Sequence, residues 1–200
     1  MEIFMVNLIP KAKNNDSCDA NTSSQDKDKF VLCIVSKRPE TIEGEEQKPI
    51  LTPFEQVNIT MFKENSDGSS IQGTKTYNNS KVSETVMVSE IWGLMDKYRP
   101  KLVTYGGRSF IIPRMRLISM RDNLKCNWLN HAGDKWQNFS TRYNATYHAD
   151  MMDILSEFTG GNMLMSIDEA FDFLLKDENK DIDPSHKLYQ VYQKWISYTN

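Results

Sequence analysis

Residues 102–117 read Leu-Val-Thr-Tyr-Gly-Gly-Arg-Ser-Phe-Ile-Ile-Pro-Arg-Met-Arg-Leu. The first four are β-formers. Gly106-Gly107 then supplies a tight turn in which glycine tolerates a positive φ, and Pro113 followed by alternating basic and apolar residues opens a helix. This strand, turn and helix would present a side chain at the edge of a sheet, yet the stretch contains no Asp or Glu.

On either side of it, short strands precede helices. Phe30–Val35 is a continuous apolar run and reads as a buried central strand. Gln56–Phe62 alternates and reads as a half-buried strand, turn residues follow, and 74–79 is the return of a hairpin. Ser83–Tyr98 predicts a helix with Val86, Ile91, Leu94 and Met95 inward, closed by Pro100. Arg114–Leu124 predicts a second helix with Met115, Ile118 and Met120 inward. His148–Phe158 predicts a third, on Met151, Ile154, Leu155 and Phe158, ended by Gly160-Gly161. Ser166 and Glu169 form a capping-box pattern ahead of a fourth, and Lys187–Tyr198 predicts the last. The order implies an α/β fold with a mixed sheet flanked by helices. Residues 11–28 are polar and aperiodic, so 1–28 reads as an extension with a flexible segment and 29–200 as a single domain.

Composition narrows the function. The chain has 200 residues and a net charge of −3, with no apolar run long enough to span a membrane. Its three cysteines are irregularly spaced, which points to free thiols in a reducing, cytoplasmic setting and away from structural zinc. Charge is uneven, because Lys97 to Arg142 holds ten basic and two acidic residues. Such a segment fits an anionic partner or a solvated face neutralised by the acidic C-terminal third. Arg108, Arg114 and Arg116, with Gly106, Gly107 and Tyr143, are the candidates for a nucleic-acid backbone. An internal ion pair is the competing role for Arg108. His148, Asp150 and Asp153 form the one tight His/carboxylate cluster. Helix geometry turns His148 and Asp150 apart, so a helix start explains the acids more simply than a metal site.

Three blocks in order carry a resemblance. Residues 102–117, "RYNATYHADMMDIL" and "SIDEAFDFLL" resemble motifs of the predicted 3′–5′ exonucleases related to the proofreading domain of family B DNA polymerases, an RNase H-like fold of the DEDD class. The resemblance implies an Asp-x-Glu on the first strand at Cys33 and Val35, an Asp at Ile111, and a closing Tyr and Asp at Val191 and Trp195. Acids at these places would hold two divalent cations. The apolar or soft residues found there lead to the expectation of a protein that is not an enzyme and has no cofactor. Such a protein is retained to bind single-stranded DNA or RNA, or as an interaction module beside a nucleic-acid enzyme. A third reading keeps metal-dependent nuclease activity with ligands displaced to Asp150, Asp153, Asp168 or Asp172.

Overall fold

In the computed structural model, the described residues are 29–37, 51–129, 145–158, 165–176 and 182–199. They form a five-stranded sheet with helices on both faces. The strands are β1 (Lys29–Lys37), β2 (Gln56–Asn65), β3 (Gly68–Asn78), β4 (Lys101–Thr104) and β5 (His148–Asp150). Their order across the sheet is β3-β2-β1-β4-β5. β1 pairs antiparallel with β2 and parallel with β4, and β4 pairs parallel with β5. The expected α/β architecture with a mixed sheet is what forms. The segment 11–28, Gly160-Gly161 and Tyr143 lie outside the described residues.

The unbroken apolar run of β1 follows from its central position, where both faces are covered. Leu32 and Ile34 turn to one side, with Ile59, Met61 and Leu102, and pack against α1 (Glu84–Tyr98) and α2 (Ile112–Asp122). Val31, Cys33 and Val35 turn to the other side with Phe62, Val103 and Ala149. That side is closed by α3 (Met151–Phe158), α4 (Ile167–Leu175) and α5 (Pro184–Thr199). β2 is buried on both faces from Val57 to Phe62, not the half-buried strand its alternation suggests, because α5 covers its second face.

Helix boundaries follow local chemistry. Ser83 caps α1, accepting the Val86 N–H, and Arg99 closes it in the left-handed conformation ahead of Pro100. Its inward stripe is Met87, Val88, Ile91, Trp92 and Met95, while Val86 is exposed. Met120 and Phe158, both expected inside, are also exposed. The capping box of Ser166 and Glu169 is formed in full. α5 begins earlier than periodicity predicts, at Pro184. The block 148–158 divides into β5 and α3, because pairing Leu102–His148 and Thr104–Asp150 extends the sheet and overrides the helical pattern of its first three residues.

Candidate functional site

The carboxyl ends of β4 and β5 come together at the opening stretch. Thr104 lies opposite Asp150, and its hydroxyl meets the buried His148 Nε2 at 2.7 Å. Gly106 then takes φ of 70°, a left-handed turn suited to glycine. Gly107 packs so tightly on Thr104 that a Cβ would fall 2.0 Å from the threonine Oγ1. The chain winds through one wide, π-helical turn, Gly107–Ile111, and continues as α2.

Asp150 organises this turn. Its carboxylate accepts N–H bonds from Gly106 at 2.8 Å, Arg108 at 2.7 Å and Met152 at 3.3 Å. The residue is fully buried. Burial pushes its pKa up, against the lowering influence of the Arg108 amide, and the charge of Asp153 adds to the rise. Arg108 reaches across the same corner: Nη2 donates to the His148 carbonyl at 2.7 Å and Nη1 lies 3.3 Å from Asp153. Tyr105 donates its hydroxyl to the Met165 carbonyl, and burial, with the charges of Asp150 and Glu169, holds its pKa up at about 12.

Of the candidates for a nucleic-acid backbone, Gly106, Gly107 and Arg108 sit in this corner and are engaged inside it. Arg114 is buried, its Nη2 2.6 Å and its Nε 3.1 Å from the two oxygens of Glu84, whose Oε1 also accepts the Phe54 N–H. Arg116 is exposed on α2.

The five positions assigned to the family's four acids and its closing tyrosine do not share one side of the sheet. Cys33, Val35 and Val191, with the half-buried Trp195, belong to the layer beneath α3, α4 and α5. Ile111 packs in the opposite layer with α1 and α2. The Cys33 thiol is pushed well above its ordinary range by complete burial and by the charge of Glu64.

The course of α5 adds a residue that sequence reasoning missed. Ser185 Oγ meets Thr60 Oγ1 at 2.7 Å, and Thr60 is the strand partner of Cys33. Eight residues later Gln193 Nε2 reaches Glu64 at 2.7 Å, and Glu64 is the partner of Lys29. The helix therefore runs from the level of Cys33 back toward the amino end of β1, and Trp195 lies about 15 Å along it from Ser185. The acid that α5 brings to the level of Cys33 is Asp183, which caps the helix by accepting from Ser185 N at 2.9 Å and Ser185 Oγ at 2.5 Å. The signal was present as Asp183-Pro184-Ser185, an N-cap acid followed by proline at the first helical position.

Two-cation nuclease chemistry needs several oxygen donors facing one point. Among the described residues no group of three or more His, Cys, Asp or Glu side chains is placed to hold a metal ion. Asp150, Asp153 and Asp183 each turn an oxygen to an internal donor. The described side chains therefore do not fit a two-metal centre, either at the positions first assigned or at Asp150 and Asp153.

A model of the family described as predicted 3′–5′ exonuclease related to the exonuclease domain of PolB matches residues 51–194. The match covers well over half of the chain, and the chain belongs to that family. No curated protein matches it in sequence. Solved structures with the same fold include exonuclease I with bound product, at TM-score 0.51 and 11% identity over 84% of this chain and 43% of that one. Another is an exonuclease I complex with SSB-Ct, at TM-score 0.51 and 10% identity over 84% and 41%. A third is a zinc-bound E. coli exonuclease I–ssDNA complex, at 0.51 and 12% over 85% and 41%. The chain spans about two fifths of the length of these exonuclease I chains, and the likeness establishes the RNase H-like exonuclease fold.

Family membership corrects the expectation that the chain is not an enzyme. That expectation rested on residues at five assigned positions. Three of them, Cys33, Val35 and Trp195, fall outside the matched segment, and Ile111 lies across the sheet from the others. Their identities carry no demonstration of inactivity.

Proposed function

We propose that this member of the predicted 3′–5′ exonuclease family handles single-stranded nucleic acid across the carboxyl edge of its sheet. The observation that carries the reading is that the family-matched segment builds that edge as a fixed corner, with the β4 turn locked to Asp150 through two backbone amides. In open α/β sheets ligands bind outside the carboxyl ends of the strands. Arg116 supplies an exposed cation on the helix that leaves this corner, and the solved relatives of the fold include one holding ssDNA. The unpaired thiols of Cys33 and Cys126 fit a reducing, cytoplasmic setting. Residues 29–200 are read as one domain.

The test is fluorescence anisotropy of a labelled oligonucleotide over a salt series, with 3′-end shortening followed in parallel in added magnesium or manganese. The expected result is binding that weakens steeply with salt, and weakens further in Arg116→Ala. Absence of both binding and shortening at low salt overturns the reading.

One observation favours a protein partner as a second reading. Phe158 and Tyr198 meet edge to face while both are largely exposed, at the ends of α3 and α5. Phe173 on α4 is exposed as well. Co-purification of a fixed partner that is lost in Phe158→Ser would establish it.

A further inference from the structure

We propose that the opposite, amino end of the sheet carries a separate nucleotide site, in which Lys29 and Lys101 hold a phosphate and Glu64, Gln193 and Tyr192 hold the base. This rests on the reading that the domain handles single-stranded nucleic acid, and it places a contact to the strand far from the carboxyl edge.

Strand register brings the charges together. Glu64 is paired with Lys29 across β1 and β2, and Lys101 is paired with Val31, two residues along β1 from Lys29. Residues 29 and 31 share the face that meets α5, so Glu64, Lys29 and Lys101 stand side by side on three neighbouring strands. Tyr189, Tyr192, Gln193 and Ile196 of α5 overhang them, leaving a cavity of about 650 Å³ that Lys29 and Glu64 line from the sheet.

The polar groups are arranged for a ligand with both a negative and a donor end. Glu64 Oε1 accepts from Tyr189 Oη at 3.0 Å and Gln193 Nε2 at 2.7 Å, which fixes the carboxylate. Its Oε2 is left with no hydrogen-bond partner among the described residues. Lys29 is exposed and makes no ion pair with a described residue, although it lies directly opposite Glu64. The Lys101 ammonium lies 5.1 Å above the Tyr192 ring, and its partial burial lowers its pKa. A fixed carboxylate oxygen accepts from the exocyclic amine of cytosine, adenine or guanine, and thymine has no such amine. Lys29 on the cavity wall, with the Lys101 ammonium from the neighbouring strand behind it against the Tyr192 ring, supplies positive charge suited to a phosphate.

The site is tested by calorimetric titration of the full chain with deoxycytidine monophosphate and thymidine monophosphate. The expected result is binding of the cytidine nucleotide at least about fivefold tighter than the thymidine one. Lys29→Glu weakens both, and Glu64→Gln removes the preference while leaving measurable binding. Circular dichroism melts confirm that both variants fold, and Lys29 is exposed at a strand end. Equal affinity for the two nucleotides, or an unchanged cytidine affinity in Lys29→Glu, overturns the site. Failure of any mononucleotide to bind overturns it too. Oligonucleotide anisotropy on the same wild-type preparation then shows independently whether the carboxyl-edge reading stands.

Discussion

The Asp150 carboxylate accepts the backbone N–H of Arg108 at 2.7 Å, fastening the end of β5 to the turn that follows β4. With the Gly106 and Met152 amides it satisfies three main-chain donors at one buried point. Asp150→Asn retains an acceptor but directs an NH₂ group at donors, so one amide loses its partner. A loss of about 2–3 kcal/mol in urea unfolding is expected for this variant. Asp153→Asn, which meets the same corner through the partly buried Arg108 side chain and keeps an oxygen to accept from it, is expected to lose less, about 1 kcal/mol. Equal losses would show that Asp150 does not organise the turn.

Gly107 and Thr104 are coupled by contact. The 2.0 Å approach of a Cβ at 107 to Thr104 Oγ1 leaves no room for Gly107→Ala, and Thr104 is itself held by His148 and by β-pairing. The variant is expected to lose about 3 kcal/mol or more through overpacking. Adding Thr104→Ser removes one methyl but keeps the hydroxyl, so it is expected to recover only a fraction. Chemical denaturation of both variants checks this.

Arg108, Arg114 and Arg116 look equivalent in the sequence and differ in the fold. The Arg114–Glu84 pair is buried, with 9% and 12% of the side chains exposed. Arg114→Ala leaves Glu84 short of two donors, for an expected loss of about 3–5 kcal/mol. Arg116→Ala is expected to stay within about 0.5 kcal/mol of wild type while weakening oligonucleotide binding. Thermal melts and anisotropy on the two variants separate a scaffold role from a surface role.

Much of the frame was legible because it depends on local signals. The apolar run of β1, the capping box at Ser166 and the glycine pair before α2 each state their structure within a few residues. The helical spacing of 148–158 misled because strand pairing with β4 is a long-range event that periodicity does not register. Val86 and Phe158 misled because an apolar residue at the right spacing still falls outside the stripe that the neighbouring elements cover. The site was less legible than the fold. Side-chain partners such as Arg114 with Glu84 and Asp183 with Ser185 depend on where distant or neighbouring elements begin. Placing the last acid on Trp195 required knowing the direction of α5 over β1, which the Ser185–Thr60 and Gln193–Glu64 bonds reveal.

Thiol chemistry reports on the core. Cys33 is fully buried and its thiol is pushed well up by burial, and burial, ahead of its neighbours' effects, holds the Cys126 thiol at about 12. Neither is expected to react with an aromatic disulfide reagent at pH 8 until the chain unfolds, because the thiolate is the nucleophile. Peptide mapping after labelling identifies the modified cysteine. Rapid native labelling at Cys33 would mean that the layer between β1 and α5 opens readily.

Asp122 gives the pH dependence its sign. Arg121 donates two hydrogen bonds to it at 2.8 Å and Thr85 one at 2.6 Å, linking the end of α2 to the start of α1. The Arg121 hydrogen bonds, then that from Thr85, draw its pKa down from the usual carboxylate range to about 2. A depressed folded pKa means that the ionised form is the one favoured by folding, so its contribution is present above the unfolded value of about 3.9 and fades as pH falls toward 2. Wild type is therefore expected to melt above Asp122→Asn at pH 6, with the gap closing between pH 4 and pH 2 as the aspartate gains its proton. Melting curves of the pair across that range check it. A gap that stays constant down to pH 2 would show that the variant acts through packing and not through the charge.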